Sequence, residues 1–215
     1  SSSGDVSSSG TVSSSGTVSS SGAVSSSGSV SIEAILLYDA TNIDRNGNFA
    51  DISDTNTSWV DLKNNNNGNL SGFSFDVNGG WAGSNTKCDP SHLRFNPTSN
   101  ITAELVTAEP LNINTELTLD VWANILSTIE HRIIGNEGEE YGLVFEPPNT
   151  VKFILGSNDN FASSTINKDT WHHIVGTWQS GDFIKLYVDG VNQANSSSQI
   201  SGNILYNNSY TTHLG

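Results

Sequence analysis

The chain has 215 residues, with 22 acidic against 8 basic side chains, a net charge of −14 and one cysteine, Cys88. The acid excess argues against nucleic acid, whose phosphate backbone needs a basic surface, and against docking on anionic lipid. One cysteine excludes an intrachain disulfide and a cysteine-based zinc site, and no apolar run approaches the roughly 20 residues of a membrane helix.

Residues 1–30 are five copies of one hexapeptide: SSSGDV, SSSGTV, SSSGTV, SSSGAV and SSSGSV. One small apolar residue in six cannot bury enough surface to fold alone. Six is even, so an extended strand turns every Val to the same face. A period this strict predicts packing against other copies, as the end of a stalk or fibre shaft. Homo-oligomerisation, as a trimer or a fibre, is therefore expected through residues 1–30. The alternative is a flexible Ser/Gly linker. The triple-Ser runs suit O-glycosylation in an extracellular setting. The chain has no methionine, so it is expected to be processed or to be part of a longer protein. Residues 1–30 show neither the basic nor the apolar region of a signal peptide.

From residue 31 the composition changes to short apolar runs divided by Gly, Asn, Asp and Pro. Strands are predicted at 32–38, 59–62, 73–77, 92–95, 101–107, 116–126, 131–136, 140–146, 151–156, 171–179, 182–190 and in the tail from 204 to 214. The stretch 117–125 alternates, with Leu117, Leu119, Val121, Ala123 and Ile125 on one face. Ile184, Leu186 and Val188 share a face and lead into Asp189-Gly190, the signal of a tight hairpin. No stretch holds a helical period. The fold class expected is all-β: an antiparallel β-sandwich or jelly roll over residues 31–215, behind an extended N-terminal low-complexity repeat.

The segment Lys168-Asp169-Thr170-Trp171-His172-His173-Ile174-Val175-Gly176-Thr177-Trp178, followed by Phe183-Ile184-Lys185-Leu186-Tyr187-Val188-Asp189-Gly190, resembles the central signature of laminin-G-like jelly rolls. These belong to the concanavalin A-like lectin/glucanase superfamily. Leu117 to Trp122 and Trp59 to Leu62 support the resemblance, and His213-Leu214-Gly215 is similar to the start of a late strand of that family. The resemblance implies a further strand, so the domain is expected to lack its last one. It also implies a rim of loops for ligand, often with calcium nearby.

His172 and His173 are adjacent on a strand and point to opposite faces, so they cannot share one metal. One is expected to be buried and hydrogen-bonded, the other more exposed. Trp122 and Trp178 lie inside strands and are expected to pack. Trp81, in the Gly-rich stretch GGWAGSN, is expected to be exposed and is the candidate ligand-binding residue, able to stack on a sugar ring. A glycosidase needs two carboxylates at a defined separation. Glu137 with Glu139 lies in a turn, with Gly142 where the second Glu is needed, and Glu116 with Asp120 lacks a third carboxylate. No catalytic residue is assigned, and the chain is not expected to be an enzyme.

Asn42, Asp44 and Asn46, with Gly47, match the first half of a calcium loop, and Asp51 or Asp54 could complete it. Ser53 stands where the bidentate Glu belongs, and an ordinary Asn/Asp/Gly turn is the competing reading. Asn64 to Gly68 reads as a loop. Asn56, Asn69, Asn100, Asn195 and Asn207 head glycosylation sequons. The function expected is a non-catalytic extracellular, cell-surface or virion-surface fibre protein. Its jelly-roll head would bind a glycan or surface receptor; a purely structural filament subunit and a glycoside hydrolase are the alternatives.

Overall fold

Alternating apolar residues bury one face of a strand and leave the other to water, and the middle of this chain is built on that rule. The computed structural model describes residues 34–95, 104–107, 111, 113–136, 140–156, 160–202, 204 and 210–215. The repeat at 1–30 lies outside the described residues. In chain order the strands are β1 (Ser58–Trp59), β2 (Gly68–Ser71), β3 (Gly80–Ala82), β4 (His92–Arg94), β5 (Glu104–Thr107), β6 (Glu116–Asn124) and β7 (His131–Asn136). They continue as β8 (Tyr141–Glu146), β9 (Thr150–Leu155), β10 (Phe161–Thr165), β11 (Trp171–Gln179), β12 (Asp182–Val188), β13 (Val191–Ile200) and β14 (Thr212–Leu214).

Among the described residues, these strands form an eight-stranded sheet in the order β1-β2-β5-β14-β7-β8-β9-β10 and a four-stranded sheet, β13-β12-β11-β6. A small sheet pairs β3 with β4. All named pairs are antiparallel. The fold is the all-β antiparallel sandwich that the sequence predicts.

The main core joins the two large sheets. Tyr141, Leu143 and Phe145 of β8 and Val151, Phe153 and Leu155 of β9 are buried together with Leu117, Leu119, Ile174, Trp178, Ile184, Leu186 and Val188. Burying each such side chain fully is worth about 1.5–3 kcal/mol. The alternation at 117–125 is realised: Leu117, Leu119 and Ile125 are buried, and Val121 and Ala123 pack against the same cluster. Gly176 of β11 leaves room for Phe153 from the opposite sheet, since a Cβ there would stand 2.4 Å from the ring. The hairpin also forms as predicted: Val188 pairs with Val191, and Asp189 and Gly190 take φ of 52° and 79°. β14 lies between β5 and β7, and Tyr141 Oη shares a buried 2.8 Å hydrogen bond with Thr212 Oγ1.

A second cluster holds Ala40, Ile43, Ala50, Trp59, Leu70 and Trp81, with Tyr38, Phe73, Phe75, Leu93, Phe95 and Leu214 against it. Here two predicted strands do not form. Residues 34–38 are not a strand, because the Leu37 N–H is taken by the Asp61 carboxylate at 3.0 Å and not by a ladder. Residues 73–77 fail because Gly72 and Phe75 take φ of 75° and 51° and reverse the chain. The polar strands β10 and β13 carry too little apolar signal to be named from sequence, although the 182–190 turn announces where β13 begins.

Candidate functional site

β8 alternates strictly, so Tyr141, Leu143 and Phe145 go to the core while Val144 and Glu146 face outward. In β9, Lys152 and Ile154 face outward by the same parity. In the β7–β8 ladder Arg132 pairs with Val144, just before a register shift between Arg132 and Ile134, and in the β8–β9 ladder Val144 pairs with Lys152. Glu130, His131, Arg132, Val144, Glu146, Lys152 and Ile154 then line a groove of about 460 Å³ on the outer face of the eight-stranded sheet. That volume falls in the range of small-molecule sites. Its apolar lining is Val144, half-buried, and Ile154, which is only 4% exposed; the rest is charged or polar. Lys152 Nζ contacts Glu146 Oε1 at 2.5 Å and lies 4.6 Å from the centroid of the Phe161 ring. Burial pushes the His131 imidazole below its ordinary value, so it is neutral at pH 7. Its Nδ1 faces the Ile129 carbonyl at 3.3 Å. A carbonyl only accepts, so Nδ1 carries the proton and Nε2 is left as an acceptor.

The outer face of the four-stranded sheet is the second place where functional side chains meet. His172 and His173 point to opposite faces, as predicted. His172 is buried, with Nδ1 at 2.8 Å from Asp189 Oδ2 and Nε2 at 3.0 Å from the Asn167 carbonyl. His173 faces outward, with Nε2 at 2.8 Å from Asp120 Oδ1, and its ring stacks on Trp122 at 5.0 Å and 17°.

Two tryptophan expectations are corrected. Trp122 does not pack inside: it is 64% exposed, because among the described residues no second layer lies over the face of β6 opposite Leu117 and Leu119. Trp81 is 1% exposed, not a free loop ring. It sits on β3, meets Trp59 edge-on at 5.0 Å, and its Nε1–H donates to the Asn56 carbonyl at 2.9 Å. A ring so enclosed cannot stack on a sugar. Trp178 is buried, as expected, and its Nε1–H donates to the Ile200 carbonyl at 3.2 Å.

The 42–51 segment is closed by its own hydrogen bonds. Asn42 Oδ1 accepts from the Gly47 N–H at 2.9 Å, and Asp44 accepts from the Asn46 backbone at 2.9 Å and from Asn48 Nδ2 at 2.6 Å. Asp51 turns to Ser53 instead, accepting its hydroxyl at 2.5 Å and its backbone N–H at 2.7 Å. These bonds hold Asp44 and Asp51 below the usual carboxylate range. The amide hydrogens occupy the carboxylate that a cation would need, so this arrangement does not fit a calcium cradle. Among the described residues no three His, Cys, Asp or Glu side chains converge on a metal position.

Glu116 and Asp120 are both exposed on β6. Four residues of strand separate their Cα atoms by about 13 Å, and Asp120 is committed to His173. Glu137 and Glu139 lie outside the described residues. Of the sequon asparagines, Asn69 on β2 and Asn195 on β13 are exposed and Asn56 is half-buried. Asn100 and Asn207 lie outside the described residues.

The sequence signature of the groove is weak, since its residues come from three strands with no shared motif. Only the outward parity of Val144, Glu146, Lys152 and Ile154 could have pointed to it.

Among solved structures, the chain is similar in fold to domain 4 of AbnA, a GH43 extracellular arabinanase from Geobacillus stearothermophilus, in complex with arabinotriose. The TM-score is 0.50 at 12% identity, over 73% of this chain and 77% of that one. The binding domain of Paraclostridial Mosquitocidal Protein 1 is similar with a TM-score of 0.47 at 18% identity, over 72% of this chain and 41% of that one. The carbohydrate-binding module CBM66 from Bacillus subtilis gives a TM-score of 0.30 at 14% identity, over 64% of this chain and 84% of that one. No curated protein matches the chain by sequence. The family model described as "Concanavalin A-like lectin/glucanases superfamily" matches residues 95–215. Strands β5 to β14, which include all of the four-stranded sheet, and the 168–190 signature fall inside that match, and the chain belongs to the concanavalin A-like lectin/glucanase superfamily.

Proposed function

We propose that this domain is a non-catalytic glycan-binding module of a protein that works outside the cell or on a cell or virion surface. The groove over β7, β8 and β9 is its ligand site. The observation that carries this reading is the groove's make-up: the half-buried apolar side chain of Val144, with Ile154 almost fully buried, within a ring of Glu130, His131, Arg132, Glu146 and Lys152. A sugar presents C–H groups on its flat faces and hydroxyls around its edge, and such a site offers a partner to each. The likeness in fold to an arabinanase domain in complex with arabinotriose is consistent with it.

The test is a glycan array on the 215-residue chain, followed by calorimetry with the best binder. Lys152→Ala and His131→Ala are each expected to weaken binding about tenfold, or about 1.4 kcal/mol. Binding to no glycan, or an affinity in both variants equal to that of the parent chain, would overturn the assignment.

In the same reading the repeats at 1–30 are a shaft that carries the domain and assembles into a trimer or fibre. Light scattering on the full chain and on a form starting at residue 31 checks this. A monomer in both cases would make the repeat a tether.

A further inference from the structure

We propose that the outer face of the four-stranded sheet carries a second carbohydrate subsite, a stacking platform for a neutral hexopyranose ring built on Trp122. The inference rests on the glycan-binding reading but uses a different face and different residues.

The chain has five tryptophans. Trp59, Trp81 and Trp178 are buried in the two cores, and Trp171 is half-buried with its ring edge-on to His92 at 5.3 Å. Trp122 alone of the five is exposed, at 64%. An indole left to water forfeits the largest hydrophobic gain that a side chain can make. It is also held still. His173 pairs with it across the ladder and stacks on one side of the ring at 5.0 Å and 17°. His173 is fixed in turn, by Asp120 at 2.8 Å on its ring and by Asp189 Oδ1 at 3.0 Å on its backbone N–H. Stacking on one face leaves the other for a ligand, and a ring already immobilised loses little entropy on binding.

The neighbouring residues select the occupant. Asp120 Oδ1 is committed to His173, and its second oxygen accepts from none of the described residues, so it is available to a hydroxyl. Thr118 lies two residues along β6, Val175 pairs with Asp120, and Tyr187 pairs with Val175. Thr118 and Tyr187 supply hydroxyls on the same face. The arrangement is one aromatic plane surrounded by hydrogen-bonding groups, not the contiguous apolar patch of a protein interface. Glu116 and Asp120 make the face negative, and Lys185, its nearby cation, is held by Asp182 at 2.6 Å. Uronic and sialic acids would be repelled, which leaves neutral sugars.

The experiment reads Trp122 directly, because acrylamide quenching of tryptophan emission reports the exposed ring. Cellohexaose, mannohexaose and galactohexaose are the probes, with hexagalacturonate as the anionic control, each at about 10 mM to cover a millimolar Kd. At least one neutral hexamer is expected to reduce the quenching of the full chain and shift its emission to the blue. Hexagalacturonate is expected to do neither. Trp122→Ala should abolish the response and Trp122→Phe should weaken the binding it reports about tenfold, while Lys152→Ala, which weakens binding in the groove, should leave the protection of Trp122 unchanged. No protection by any neutral hexamer, protection that survives Trp122→Ala, or preference for the anionic control would overturn the proposal. Loss of the response in Lys152→Ala would assign the binding to the groove instead. A groove that binds no glycan while Trp122 is protected would sink the groove assignment and leave this one standing.

Discussion

Asp189 Oδ2 lies 2.8 Å from His172 Nδ1, while Oδ1 of the same carboxylate accepts the backbone N–H of His173 at 3.0 Å. One side chain in the β12–β13 turn therefore fixes the buried histidine and, through the backbone, the exposed one beside it. The hydrogen bond to His172, then that from the His173 backbone, holds the Asp189 carboxyl below the usual carboxylate range.

A depressed carboxylate pKa contributes stability above the unfolded value, near 3.9, and loses it as pH falls through the folded value. Asp189→Asn keeps the positive φ that the turn requires, since Asn tolerates it, and removes the charge. It is expected to cost about 1 kcal/mol or less at pH 7, because Asp189 is half-exposed and screened by water. Urea unfolding at pH 7 and near pH 3 should show the gap between the two proteins narrowing in acid. An unchanged gap would mean that the carboxylate is not the linked group.

Gly176 is required by the ring across from it. An added Cβ would stand 2.4 Å from Phe153 Cγ and 2.7 Å from both Cδ atoms, and Phe153 is fully buried. Gly176→Ala is expected to destabilise by about 1–3 kcal/mol through overpacking. Thermal melts of Gly176→Ala, Phe153→Leu and the double variant measure the coupling. Strictly additive losses would show that the two positions do not compete for the same space.

Asp61 is buried and accepts backbone N–H groups from Leu37, Lys63 and Asn64 at 3.0 Å and from Asn66 at 3.3 Å. Arg45 donates to the Asp61 and Asn64 carbonyls over the same turn. Asp61→Ala leaves several N–H groups without their acceptor and is expected to cost about 3 kcal/mol. Limited proteolysis should then cut within residues 62–67 before the β-sandwich unfolds. A variant as resistant as the parent chain would show that the loop is held by other contacts.

The hydrogen-bonded loop at 42–51 predicts indifference to calcium. Addition of calcium or of a chelator is expected to move the Tm of the full chain by less than a degree or two, the scale of a small stability change. A rise of several degrees with calcium, lost in Asp44→Asn, would restore the cation reading.

Local chemistry in the sequence determined much of this protein. The period-2 run from Leu117 to Ile125, the Asp189-Gly190 turn and the opposed faces of His172 and His173 are properties of a single strand or hairpin, readable wherever parity is fixed. The same parity already set Trp122 opposite Leu119. Whether that face would be covered was a matter of layers, and only the tertiary structure decided it: among the described residues β6 has one sheet beneath it and none above. Trp81 shows the converse. Its Gly-rich neighbours suggested a free loop, yet Trp59 comes from elsewhere in the chain to enclose it, with the Asn56 carbonyl as its hydrogen-bond partner. Of the groove only the outward parity of Val144, Glu146, Lys152 and Ile154 was legible, because Arg132, Val144 and Lys152 become neighbours only through ladder register. Periodicity is written in the chain one residue after another. Exposure depends on which distant strand arrives to cover a face, and that is fixed only when the whole sandwich packs.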